Sequence, residues 1–328
     1  MTSTAALSGD PIALCGIQLA HPVINASGTF DAIAARRTFG DALLEHFPFA
    51  AFVSKTVTLE PRQGNPPPRL WELAAGMINS IGLPNKGLAG YLEHDLPQLA
   101  ELPVPLIVNV MGFTREQVAE LVAAFAEREE VAALELNVSC PNVETGMVMG
   151  ADPGETAALL DAVRPLTGKP LIVKLTPNCT SPADVAAAAE AHGADAVSLI
   201  NTLRGMAFDP RRPGVPWLGG AERSGDEAPG RGSGGVSGPA VRAVALAQVA
   251  EVRARIAIPI VGMGGVQSGR HARDLLQAGA DVVAVGTESF RDPMAGARVA
   301  AELAESLANS GIARDASTLQ RARIAHNA

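Results

Sequence analysis

The stretch PLIVKLTPNCTSPADVAAAAEAHGADAVSLIN, residues 170–201, carries one complete strand–helix–strand unit. PLIVKL (170–175) is a short, largely apolar run of the kind a strand needs when it is covered on both faces of a parallel sheet. Ser181 followed by Pro182 reads as an N-cap and first-turn pair, an Ala-rich run carries the helix, and Gly193 closes it. DAVSLI (195–200) is then the next strand. Parallel strands joined by single helices are the repeating unit of α/β folds.

The same alternation extends outward in both directions. Strand-like runs precede this unit at 22–26 (PVINA), 51–56 (AFVSKT), 105–110 (PLIVNV) and 132–137 (AALELN), and follow it at 258–262 (IPIVG) and 281–286 (DVVAVG). Thr114 and Gln117 form a capping box at the start of the helix after the third run. Eight strands, interleaved helices, no central linker and no shorter repeat predict a single (β/α)8 TIM barrel over 1–328. An open doubly wound sheet is the competing architecture, but no GxGxxG opens the first βα turn. Two stretches exceed a minimal barrel, 57–100 and 208–233, and are expected to be long lids or binding loops at the C-terminal face.

Composition narrows the function classes. With 26 basic against 34 acidic residues, the net charge of −8 gives no bulk attraction to nucleic acid. No apolar run approaches the roughly 18–20 residues that span a bilayer, and MTSTAALSGD lacks the basic and apolar regions of a leader, so no membrane association and a cytoplasmic location are expected. Cys15, Cys140 and Cys179 form no CxxC pair and are too few for a four-cysteine cluster. The six histidines show no metal-ligand spacing, and no metal site is expected.

Barrel chemistry sits at the C-terminal ends of the strands, and here those ends are regularly polar. Ser27 and Gly28 follow the first run, Lys55 and Thr56 end the second, and Asn109, Asn137 and Lys174 end the next three. Asn201 and Thr202 follow the sixth, Gly264 and Gly265 the seventh, and Gly286 and Thr287 the eighth. Each taken singly reads as a turn former, whereas together they suit a polar, planar ligand. The glycines after strands seven and eight suit a phosphate, and the cluster Gly234–Gly238, leading into a helix, is expected to add free amides to it. Cys140, three residues beyond Asn137 and followed by Pro141, is a candidate base or nucleophile, while Cys15 and Cys179 read as packing residues.

NASGTF (25–30), SKTVTLEPRQGNPPPR (54–69), NSIGLPNKG (79–87), NVSCPNV (137–143), VKLTPN (173–178), INTLRGM (200–206), GGVSGPA (234–240) and GMGGV (262–266) together resemble class I dihydroorotate dehydrogenases over nearly the whole chain. TLEPRQGNPPPR and ETGMVMGADP are more similar to the heteromeric, NAD-linked subclass IB than to the fumarate-using one. The segment between Gly205 and Gly234 is longer than the family's usual form.

The resemblance implies oxidation of (S)-dihydroorotate to orotate in pyrimidine biosynthesis, with FMN as cofactor. It implies that Ser27, Lys55, Thr56, Asn109, Asn137, Lys174 and Ile200 surround the flavin ring and ribityl chain, with Gly238, Gly264, Gly265, Gly286 and Thr287 around chain and phosphate. It places Lys55, Asn79, Ser80, Ile81, Gly82, Leu83, Asn137, Asn142, Asn201 and Thr202 around the substrate, Cys140 as base, and a lid at about 140–152. A homodimer and an FAD and iron–sulfur electron-transfer subunit are the implied partners. A dihydropyrimidine dehydrogenase-like FMN enzyme, and a barrel aldolase using Lys174 or Lys55 as a Schiff base, remain the alternatives.

Overall fold

The computed structural model describes residues 12–139, 149–218 and 232–310. Cys140, Asn142 and most of the expected lid lie outside the described residues, as does the middle of the 208–233 stretch.

All eight expected runs are strands: β1 Val23–Asn25, β2 Phe52–Val53, β3 Leu106–Val110, β4 Val131–Asn137, β5 Leu171–Lys174, β6 Ala196–Leu199, β7 Ile260–Met263 and β8 Val282–Val285. They form one parallel sheet in the order β1-β8-β7-β6-β5-β4-β3-β2, so sequence neighbours are spatial neighbours and β8 returns to β1. This is the (β/α)8 arrangement that the alternation predicts. The helices between them start where their caps say. Thr114 Oγ1 accepts from the amide of Gln117 ahead of Arg115–Ala126, and Ser181 Oγ from that of Asp184 ahead of Pro182–Ala191. Gly193, at φ +91°, turns the chain out of the second helix.

Strand alternation divides the core in two. Ile24, Val53, Ile107, Ala133, Ile172, Ala196, Val261 and Val282 fill the barrel interior, while the outward residues pack under the helices. A hairpin, Ile12–Leu14 with Ile17–Leu19, adds Leu14 and Leu19 to the inner cluster. The hairpin turn holds Cys15, whose thiol donates to the Asp195 carbonyl at 3.3 Å. Burial foremost, then Asp195 and Asp281, pushes that thiol up to about 12. Cys15 packs against the inner cluster, in keeping with its reading as a packing residue.

The seam between β1 and β2 is closed largely by one side chain. Ala50 N–H donates to Val23 O at 3.0 Å. Above it, Asn25 Oδ1 accepts from Val53 N–H and Asn25 Nδ2 donates to Val53 O, both at 2.8 Å, so the amide stands in for a missing rung of the ladder. Asn25 is fully buried. Asn25→Ala strands two buried backbone groups and is expected to cost about 2–4 kcal/mol, read as a lower midpoint in denaturant unfolding; an unchanged midpoint would show that the seam closes without it.

The 57–100 stretch differs from the irregular loop expected of it, for it carries two strands of a second, antiparallel sheet in the order Leu203–Met206, Ser233–Ser237, Gly76–Asn79, Leu70–Leu73, whose other two strands flank the 208–233 stretch. This sheet roofs the C-terminal end of the barrel, and Trp71 packs on Trp217 with ring centroids 4.4 Å apart. Gly234 and Gly235 belong to a roof strand, where a Cβ at Gly235 would lie 2.1 Å from Thr202 Oγ1. Of the cluster expected to lead into a helix, Gly238 is the residue at the turn, ahead of the helix Arg242–Arg253.

Candidate active site

Between the barrel's C-terminal rim and the roof lies a cavity of about 580 Å³. One end is cationic and amide-rich. Lys55 follows β2 and Arg69 precedes the first roof strand, and both reach this cavity. Desolvation lowers the Lys55 pKa below the ordinary lysine value, with Arg69 adding repulsion and Asp31 opposing both. Asn201 Nδ2 donates to Ser139 Oγ at 2.8 Å and to Asn137 Oδ1 at 3.3 Å, linking the ends of β4 and β6. Asn79 Nδ2 donates to Gly235 O at 3.2 Å, which fixes that side chain to the roof. These amides present both donors and acceptors, as a pyrimidine edge requires.

The opposite end is built from glycine turns. Gly264 (φ +136°) and Gly265 (φ +70°) follow β7 in conformations that L side chains rarely adopt. A Cβ at Gly264 would come within 2.6 Å of Ala245 Cβ, and one at Gly265 within 2.9 Å of Gly238 O. The chain there approaches its neighbours as closely as backbone allows. Thr287 Oγ1 donates to Ser237 Oγ at 2.8 Å, tying the loop after β8 to the roof. Behind this end, Arg298 holds Gln267 O at 2.9 Å and Glu288 Oε1 at 3.2 Å, joining the loops after β7 and β8.

The floor is the last inward layer of the barrel. Lys174 lines the cavity from the end of β5 with its side chain only 7% exposed. Its Nζ lies 3.4 Å from Glu135 Oε1, and Asn109 Nδ2 donates to that same oxygen at 2.8 Å. Asn109 Oδ1 is buried with no hydrogen-bond partner among the described residues.

The profile of the dihydroorotate dehydrogenase family matches residues 11–307. The chain belongs to the dihydroorotate dehydrogenase family. Among its relatives is the dihydroorotate dehydrogenase B (NAD(+)) catalytic subunit of Geobacter sp. (strain M21), 42% identical over 305 residues, covering 92% of this chain and 94% of that protein. The equivalent subunit of Desulforudis audaxviator is 43% identical over 305 residues, with 92% and 93% covered. The resemblance to class IB read from the motifs is thereby borne out. The crystal structure of the Eimeria tenella enzyme with ferulenol superposes with a TM-score of 0.71 over 94% of this chain and 86% of that one; at 22% identity it shows the shared barrel fold.

Most residues that the sequence assigns to a dihydroorotate dehydrogenase site meet in this one cavity. Ser27, Lys55, Thr56, Asn137, Lys174, Ile200, Gly238, Gly264, Gly265, Gly286 and Thr287 line it, as do Asn79, Ile81, Gly82, Leu83, Asn201 and Thr202. Two do not. Asn109 lies wholly buried beneath the floor, and the Ser80 hydroxyl is outside the lining, accepting from Asn65 Nδ2 at 2.9 Å. Glu135, Arg69 and Ser139 were not singled out in the sequence. Glu135 carried a readable signal, being two residues before Asn137 and so on the same face of the strand.

Proposed function

We propose that this chain oxidises (S)-dihydroorotate to orotate with FMN as its resident cofactor, and that it works as the catalytic subunit of an assembly that delivers the electrons to NAD. The observation that carries the reading is a single cavity with Lys55, Arg69 and four side-chain amides or hydroxyls at one end, glycine turns at the other and Lys174 in its floor. Two cations suit a substrate bearing a carboxylate, which a dihydropyrimidine without one would leave unused.

The cavity fits FMN on two counts. The turns at Gly264 and Gly265 bring backbone close enough to hold a phosphate. Lys174 supplies a fixed cation for a ring that becomes negatively charged on reduction. When bound, FMN supplies the acceptor for the hydride that leaves C6 of dihydroorotate.

The protein's own groups do the rest. Lys55 and Arg69 neutralise the substrate carboxylate, and Asn79, Asn137 and Asn201 orient the pyrimidine ring by its alternating carbonyl and N–H groups. Cys140, as thiolate, takes the proton from C5. Holding base and acceptor against one substrate replaces encounters with orientation. The chain's three cysteines cannot ligate an iron–sulfur cluster of four, so a separate electron-transfer subunit carrying FAD and an iron–sulfur centre completes the path, docked on a homodimer of this chain in the cytoplasm.

One experiment tests both halves. The purified chain is expected to be yellow, to bleach anaerobically on adding dihydroorotate, and to pass electrons to artificial dyes with little reduction of NAD. A colourless protein, or a flavin that dihydroorotate leaves oxidised, would overturn the reaction. Efficient NAD reduction by the chain alone would overturn the partner while leaving the reaction in place.

A further inference from the structure

On β3 to β6 the uppermost side chains inside the barrel are polar, although the layer below them is apolar. Asn109 sits in register with Glu135 on the adjacent strand, and Lys174 with Ser198. Glu135 is 3% exposed and does not line the cavity, so it touches neither substrate nor cofactor. A carboxylate that deep is tolerated only when it is paired and hydrogen-bonded. Its Oε1 meets both requirements, at 3.4 Å from Lys174 Nζ and 2.8 Å from Asn109 Nδ2.

We propose that Glu135 is a positioning residue that anchors Lys174 and offsets its charge beneath the cofactor, so that this buried carboxylate sets how readily the bound flavin accepts electrons. The inference rests on the FMN reading above. In a low-dielectric floor an isolated ammonium would favour the anionic, reduced ring strongly. A carboxylate 3.4 Å away converts that point charge into a dipole, whose field falls off faster with distance, and it fixes the ammonium in one place. Asn109, donating to the same oxygen, holds the carboxylate in turn. The arrangement keeps a cation under the ring without letting it trap the electrons that must pass onward.

The test compares flavin-loaded wild type with Glu135→Gln, which keeps the shape and an acceptor oxygen and removes the charge. Sulfite is the probe. It adds reversibly to flavin N5 through its own electron pair, leaving negative charge at the pyrimidine end, so its affinity reports the net positive charge there. Glu135→Gln is expected to bind sulfite at least roughly tenfold more tightly and to show a raised midpoint potential, whereas Lys174→Gln moves both quantities the other way. A purely structural role would lower flavin occupancy without moving either value in the molecules that retain flavin. Should Glu135→Gln not fold, Glu135→Asp draws the carboxylate back from Lys174 and is expected to shift both in the same direction by less. Flavin-loaded variants with sulfite affinity and potential unchanged would overturn the inference alone. Wild type that binds no FMN would overturn the FMN reading and this inference with it.

Discussion

Cys140→Ala is expected to retain its flavin and bind orotate, yet to reduce that flavin with dihydroorotate roughly 10²–10⁴-fold more slowly, the range a positioned general base contributes. Although Cys140 lies outside the described residues, the chain on both sides of it is anchored at the cavity. Asn137 lines it, Ser139 accepts from Asn201, and Gly150 N–H returns to Val138 O at 2.7 Å. The described residues on either side of Cys140 in sequence are therefore held together beside the site. Stopped-flow flavin reduction checks the rate, and in wild type it is expected to rise with pH as the thiol ionises. A variant as fast as wild type would give the proton to another group.

Gly265→Val is expected to lose its flavin. At φ +70° a β-branched residue is strained, and its Cβ would lie 2.8 Å from Arg242 Cβ and 2.9 Å from Gly238 O. The neighbours must move apart at the turn proposed to present amides to the phosphate. Overpacking of this kind costs about 1–3 kcal/mol, which corresponds to a roughly 10–100-fold weaker complex if it falls on the bound state. The flavin-to-protein absorbance ratio, followed by titration of FMN into the stripped variant, measures it. Full occupancy would remove Gly265 from the phosphate site.

The barrel was legible because its strands are covered on both faces. A run such as LIVK at 171–174 needs apolar residues at successive positions, and little else in a soluble chain does. The roof was not legible for the opposite reason. Its strands, among them GMIN and SGGVS, are half-buried, short and glycine-rich, and glycine lowers the strand signal where two backbones approach closely. The site residues at strand ends could be read because barrel geometry says where to look. Asn25 and Glu135 could not be found in that way, since each acts inside the fold on a neighbour, one replacing a backbone rung and the other pairing with Lys174. The position of Asn25 reads equally as a turn former, and the spacing of Glu135 to Asn137 gives its face of the strand but not its partner.

The roof also has a consequence for the order in which the molecule assembles. Consecutive barrel strands are mostly joined through one intervening helix and close modest loops, whereas the β8–β1 pairing that shuts the barrel joins Val283 to Val23. The roof pairs Gly76–Asn79 with Ser233–Ser237, and the Asn79–Gly235 contact spans 156 residues. The entropy of closing so long a loop is repaid only once the strands between are already in place. The roof is thus expected to follow the pairings of consecutive barrel strands, so that the cavity is covered late.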